Sequence, residues 1–167
     1  MDKKQWRWRI HSKKGYEAAI MEQFNGEKAW WWQGLWECNS PLKTILTFWL
    51  AMNNKLLTWE NLRKRGLQGP GICILCKKDD ELTSHLFGTC TYAGQVWMDV
   101  ARTLSKGRMI RREDSWEQNT KQWRDNKVVC EFRDFPMLFI FTIWEARNIA
   151  IFKNIWTPIN ISSTLLP

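Results

Sequence analysis

Gly69-Pro70-Gly71-Ile72-Cys73-Ile74-Leu75-Cys76-Lys77-Lys78-Asp79-Asp80-Glu81-Leu82-Thr83-Ser84-His85-Leu86-Phe87-Gly88-Thr89-Cys90 decides how this chain reads, because it spaces four metal ligands as Cys-x2-Cys-x8-His-x4-Cys. Cys73 and Cys76 are close enough to share one tight turn and aim both sulfurs at one point. His85 and Cys90, five positions apart, close a tetrahedron from a helical turn beyond. Three thiolates and one imidazole fill all four positions of a structural zinc and leave none for a reactive water. The expected cofactor is Zn2+, held by Cys73, Cys76, His85 and Cys90 for structure rather than catalysis. Such a complex carries about one negative charge, and Lys77 and Lys78 lie beside it in sequence.

Three other readings compete. A Cys-x-x-Cys redox pair normally opens a helix after a strand of a βαβ unit, whereas this pair follows Gly-Pro-Gly. Unrelated buried cysteines explain one or two of the four residues but not all of them at this spacing. A His85 used only in the core is the third, and its place between Cys76 and Cys90 favours ligation. The cysteine count, 5, is odd and argues against a closed disulfide framework.

Outward from the ligands, the pattern is helical. Ser40-Pro41 reads as a helix opening, with Ser as N-cap and Pro at the first helical position. Leu42, Ile45, Leu46, Trp49, Leu50 and Met52 then predict an apolar face over Pro41–Asn53. Thr58 predicts the cap of a helix over Trp59–Arg65, stopped by Gly66. A third helix over Tyr92–Leu104 puts Val96, Trp97, Val100 and Leu104 on one side. Residues 105–126 are polar and poorly periodic, a loop or a loosely packed helix. Leu138, Phe141, Ile143, Trp144, Arg147 and Phe152 predict a long buried helix over much of Pro136–Asn154. Trp6, Trp8 and Ile10 alternate, as in a short strand or extended arm.

The fold class is therefore mainly α: a small helical domain organised around a Cys3His zinc knuckle, with at most short strands near Trp6–Ile10 and the knuckle. Residues 1–15 form a basic aromatic arm, and 16–104 a helical zinc-binding domain with its knuckle at 73–90. Residues 105–134 are a polar loop or linker, 135–154 a C-terminal helix packing on the domain, and 155–167 a tail. Trp36, Phe48, Trp49, Leu62, Phe87, Trp97 and Trp144 are expected in the core. Trp6 and Trp8, set among Lys and Arg, are expected to be exposed.

The formal charge of +8 favours anionic partners, nucleic acid before membrane. The longest apolar run, around Met137–Ile143, is far short of a membrane span. No apolar stretch follows Met1 as in a signal peptide. A nuclear or cytoplasmic location without membrane association is the expectation.

The residues from Trp30 to Val100 also resemble the zinc-binding region of plant LINE-type (non-LTR) retrotransposon reverse transcriptases. The resemblance runs through Trp36, Pro41, Lys43, Phe48, Trp49, Thr58, Asn61, Leu62, Arg65 and Gly66. It continues through Cys73, Leu75, Cys76, Glu81, His85, Leu86, Phe87, Cys90, Ala93, Val96 and Trp97. Gly15-Tyr16-Glu17-Ala18 looks like the family's entry segment. Trp144-Glu145-Ala146-Arg147-Asn148 with Phe152 resembles its Trp-x-x-Arg-Asn-x-x-x-Phe segment, which precedes an RNase H domain. Leu42, Leu57 and Ile74 stand where that family commonly has Pro, and Lys77 where it commonly has Gly. A Cβ at the Lys77 position is expected to strain the turn if it needs φ > 0.

No catalytic constellation is legible, and the chain is read as no enzyme with no small-molecule substrate. Reverse transcription needs paired carboxylates holding two metal ions. The only Asp-Asp here, Asp79-Asp80, sits inside the knuckle without an aromatic residue before it. The resemblance implies an accessory module between polymerase and RNase H parts that holds RNA or single-stranded DNA with little sequence preference. Lys3, Lys4, Trp6, Arg7, Trp8 and Arg9, with Arg63, Lys64 and Arg65, are the candidate contacts: cations for phosphates and indoles for unpaired bases. Lys106 to Arg112 is a further basic cluster. Each of these is equally a solvated face or loop. The alternative function is a host-captured scaffold that keeps the zinc fold and docks a protein partner.

Overall fold

A computed structural model of the chain describes residues 30–38, 40–104, 115–125 and 133–156. The chain divides into two units, Met1–Cys38 and Asn39–Pro167. The expectations for residues 1–15, including the strand near Trp6–Ile10 and the exposed Trp6 and Trp8, lie outside the described residues, as does the side chain of Trp36. In the first unit helix α1 (Trp32–Glu37) is described. Trp31 and Trp32 meet edge to face there, with centroids 6.2 Å apart.

The second unit is helical and has no strand among the described residues. Its elements are α2 (Leu42–Met52), α3 (Trp59–Lys64), a π-turn (His85–Thr89), α4 (Thr91–Leu104), α5 (Trp116–Asp125) and α6 (Phe135–Lys153). Helix α6 packs against α2, α4, α5 and the π-turn, so it is the spine of the unit. By length and composition it alone among the described helices could cross a membrane, yet half of it is buried in the protein. Arg147 in its interior is paired with a buried carboxylate, which makes α6 a core helix.

Both short helices end as the sequence predicts. Gly66, at φ +82°, follows α3, donating to the Arg63 carbonyl while Leu67 donates to that of Leu62. Asn54, at φ +49°, ends α2 with the equivalent pair of bonds to Ala51 and Leu50. Both are Schellman closures, which need a residue tolerant of the left-handed region.

The helix starts differ from expectation. Pro41 rather than Ser40 is the cap of α2, accepting from Thr44 and Ile45, while the Ser40 hydroxyl faces Asp134 at 3.5 Å. Thr58 makes no cap bond, and its buried hydroxyl finds no partner. The carboxylate of Glu81 takes the Trp59 amide instead, at 3.0 Å. An ionised acceptor is the stronger partner for an N-terminal amide.

The buried face of α2 is also the reverse of the predicted one. Thr44, Thr47, Phe48 and Ala51 are buried, whereas Leu42 and Leu46 are 68% and 50% exposed. Phe48 fixes the choice, since it sits among small residues that let α6 approach. Thr47 is tolerated inside because its hydroxyl donates to the Lys43 carbonyl at 2.8 Å.

Phe48, Phe87 and Trp97 are core as expected. Trp49, Leu62 and Trp144 are only half-buried, and Phe152, near the end of α6, is 77% exposed.

The polar segment holds a packed helix. Along α5, Trp116, Asn119, Thr120 and Trp123 fall at i, i+3, i+4 and i+7 and are all buried. Two polar residues in that stripe hide its period in the sequence. Trp123 is fully buried, 5.4 Å from Trp97 and 4.3 Å from Phe135, and the three rings form one cluster with Phe139. Trp123→Ala is expected to cost about 3–5 kcal/mol in chemical denaturation, whereas a loosely packed helix would lose under about 1 kcal/mol.

Candidate metal centre

The knuckle hangs on a minimal hairpin. Ile72 and Asp80 form one antiparallel bridge, with Cys73 donating to the Asp79 carbonyl at 2.8 Å and Glu81 to that of Gly71 at 2.7 Å. Gly71 stands at φ +71°, and a Cβ there would meet the Arg63 guanidinium at 2.8 Å. Inside the hairpin the Lys77 amide donates back to the Cys73 carbonyl at 2.8 Å, closing the turn that carries Cys73 and Cys76. Lys77 is in the left-handed region at φ +56°, the strain expected of a side chain in that place.

The other two ligands come from the π-turn. In an α-helix, residues five apart point about 140° away from each other. A turn closed by i→i+5 bonds returns after roughly five residues, which brings His85 and Cys90 to one side. Here the Cys90 amide donates to the His85 carbonyl at 2.8 Å. The spacing reveals the ligands; the π geometry that unites them carries no sequence signal of its own.

The four ligand atoms lie within 4.8 Å of one another. Cys73 Sγ and Cys90 Sγ are 3.9 Å apart, and Cys76 Sγ and His85 Nε2 3.3 Å. These are opposite edges of one tetrahedron, and Zn–S and Zn–N bonds of about 2.3 and 2.0–2.1 Å require edges of roughly 3.6–3.8 Å. The donor set therefore fits zinc. On the far side of the ring His85 Nδ1 sits 3.0 Å from the Thr89 hydroxyl and 3.9 Å from Asp79. A proton on Nδ1, donated to Thr89, leaves Nε2 bare toward the metal position.

The contacts of each ligand atom set its protonation tendency. The hydrogen bond to Cys90, reinforced by burial, pushes the Cys73 thiol far above its ordinary range. The same bond, received from Cys73, lowers Cys90. Amides of Leu75 and Cys76 point at the Cys73 sulfur, and those of Tyr92 and Ala93 at that of Cys90, each favouring thiolate. Burial pushes the His85 imidazole down, toward its neutral, ligating form. Cys73 and Cys90 would hold zinc as thiolates, so binding would release their protons.

A family model described as zinc-binding in reverse transcriptase matches residues 11–97. The chain belongs to this family. No curated protein and no solved structure matches it. All four ligands of this reverse-transcriptase zinc-binding member lie inside the matched segment.

Glu81 is the functional residue that the ligand spacing alone does not reveal. It is fully buried four residues before the π-turn and receives Arg147 twice, from Nη2 at 2.7 Å and Nε at 3.2 Å. Arg147 also donates to the Leu57 carbonyl at 3.1 Å, and its guanidinium lies 4.8 Å from the Trp144 ring centre. The only sequence signal was the pair of motifs that place Glu81 before His85 and Arg147 after Trp144. Of the predicted nucleic-acid contacts, Lys3 to Arg9 lie outside the described residues. Arg63 is partly committed to the knuckle, 3.5 Å from the Gly71 carbonyl and 3.8 Å from Asp80. Lys64 pairs with Glu60 at 2.7 Å, and Arg65 is exposed.

Two outcomes follow from this geometry. Elemental analysis of purified, tag-free protein is expected to find one zinc per chain, lost in Cys76→Ser and kept in Cys38→Ser, since Cys38 bonds the Leu35 carbonyl instead. Lys77→Gly is expected to relieve about 1–2 kcal/mol of backbone strain and to slow zinc release to a chelator; release at the parent's rate would show that the turn is not strained.

Proposed function

We propose that the protein is a non-catalytic module that holds RNA or single-stranded DNA, with its zinc serving only structure. The observation that supports this most is the exposed basic end of α3 held beside the knuckle loop. The Arg63–Asp80 contact sets the basic end of α3, Arg63-Lys64-Arg65, against the knuckle loop that bears Lys77 and Lys78. In a chain of net charge +8, such a cluster gains affinity by releasing counterions from phosphates. The Trp144-Glu145-Ala146-Arg147-Asn148 segment supports a LINE-type origin, in a plant, and a nuclear or cytoplasmic setting goes with it. A second reading, a scaffold for a protein partner, is favoured by the exposed Leu42 and Leu46 on α2.

Fluorescence anisotropy with labelled oligouridine and duplex DNA, titrated across salt, separates the two. Single-strand affinity is expected to fall steeply as salt rises. Arg65→Gln with Lys78→Gln should reduce the log–log slope by about 0.7 for each phosphate no longer neutralised and leave zinc in place. Absence of binding at low salt would favour the scaffold.

A further inference from the structure

Beyond the end of α6 the chain turns at Asn154, which adopts the left-handed conformation at φ +53°. Two residues later Trp156 lies edge to face against Tyr92, with centroids 6.1 Å apart and planes at 68°. Tyr92 is the second residue after the ligand Cys90, so the indole is anchored beside the metal centre. The ammonium of Lys77, in the knuckle turn itself, stands 5.4 Å from the Trp156 ring centre. Although one ring and one ammonium contact it, Trp156 remains 52% exposed. A half-open indole fixed by a second ring and a cation differs from an indole on a loose tail, because less orienting entropy is lost when a planar partner lands on it.

The surrounding charges define that partner. Lys77 is exposed beside the ring, and Lys78, the next residue, is exposed too. The acidic residues that follow lie toward the other side of the loop, Asp79 3.9 Å from the His85 ring and Asp80 3.8 Å from Arg63. A flat apolar surface with a cation beside it suits a planar group tethered to an anion.

We propose that Trp156, Tyr92 and Lys77 form a stacking site for one unpaired nucleobase, with Lys77 and Lys78 meeting the adjoining phosphates. This deepens the nucleic-acid reading and rests on it. It adds an aromatic contact at the knuckle to those expected at Trp6 and Trp8.

The test uses the zinc-loaded full chain and two probes of equal length, oligouridine and an abasic strand that keeps the phosphates but has no bases. Trp156→Ala is expected to weaken oligouridine binding about tenfold, the scale of one lost base stack. Trp156→Phe should restore most of that loss, and both variants should bind the abasic strand as the parent does, with unchanged zinc content. Equal oligouridine affinity for parent and Trp156→Ala would overturn the stacking site while leaving the nucleic-acid reading standing. An equal loss on the abasic strand would overturn it too, since the residue would then act through the backbone or the fold. If the parent binds neither strand at low salt, both ideas fall together.

Discussion

Burying a carboxylate and a guanidinium costs on the order of several kcal/mol per ion, and only close pairing with every remaining polar atom satisfied offsets that cost. Glu81 and Arg147 meet this condition with little to spare. The carboxylate takes two bonds from Arg147 and one from the Trp59 amide. The guanidinium donates further to the Leu57 carbonyl and the Asn148 side chain. Each partner comes from a different piece of chain: the hairpin, the start of α3, the loop before it, and α6. None can shift without stranding a charge, so the pair fixes where the hairpin sits on the helices. The backbone repeats the constraint, because the Glu60 amide donates to the Glu81 carbonyl at 3.2 Å and the Thr83 amide donates to the Glu60 side chain at 3.3 Å.

That arrangement changes what a metal has to do. In small zinc fingers the ion supplies most of the folding free energy. Here the ligand-bearing segments are already placed from both ends. The hairpin bridge, the Lys77–Cys73 turn bond and the Glu81 clamp hold the Cys73–Cys76 side, while the π-turn continues into α4 through the Gly94–Cys90 bond. The aromatic cluster of Trp97, Trp123, Phe135 and Phe139 lies on α4, α5 and α6, outside the ligand loop. Metal binding then stabilises a site whose surroundings have their own core, and removing the ion loosens the knuckle more than the bundle.

What the sequence disclosed follows the same division. Ligand identity was legible because tetrahedral chemistry restricts residue type and spacing together. Helix ends at Asn54 and Gly66 were legible because few residues enter the left-handed region. The face of α2 was not, because hydrophobicity named Leu42 and Leu46 while packing against α6 selected the narrower side with Phe48, Thr44 and Ala51. Helix α5 was hidden for a related reason: Asn119 and Thr120 are buried polar residues, Thr120 satisfied by the Trp116 carbonyl at 2.8 Å. The long-range capping of α3 by Glu81 had no local signature at all, since Thr58 was the better cap on sequence grounds.

These contacts bear on where the module ends physically. The family match stops at Trp97, within α4, yet Glu81 inside the match depends on Arg147 well beyond it. Trp97 itself, the last matched residue, has its ring against Trp123, Phe135 and Phe139, all outside the match. Cutting at the matched boundary would leave a buried carboxylate without its cation and an indole without its cluster. The Trp-x-x-Arg segment of α6 is therefore part of the zinc-binding module's own structure. Its Arg147 guards the hairpin's register, and its Trp144 covers the guanidinium from the side. A motif that reads in the sequence as the approach to another domain is, in this fold, the far wall of the metal site's support.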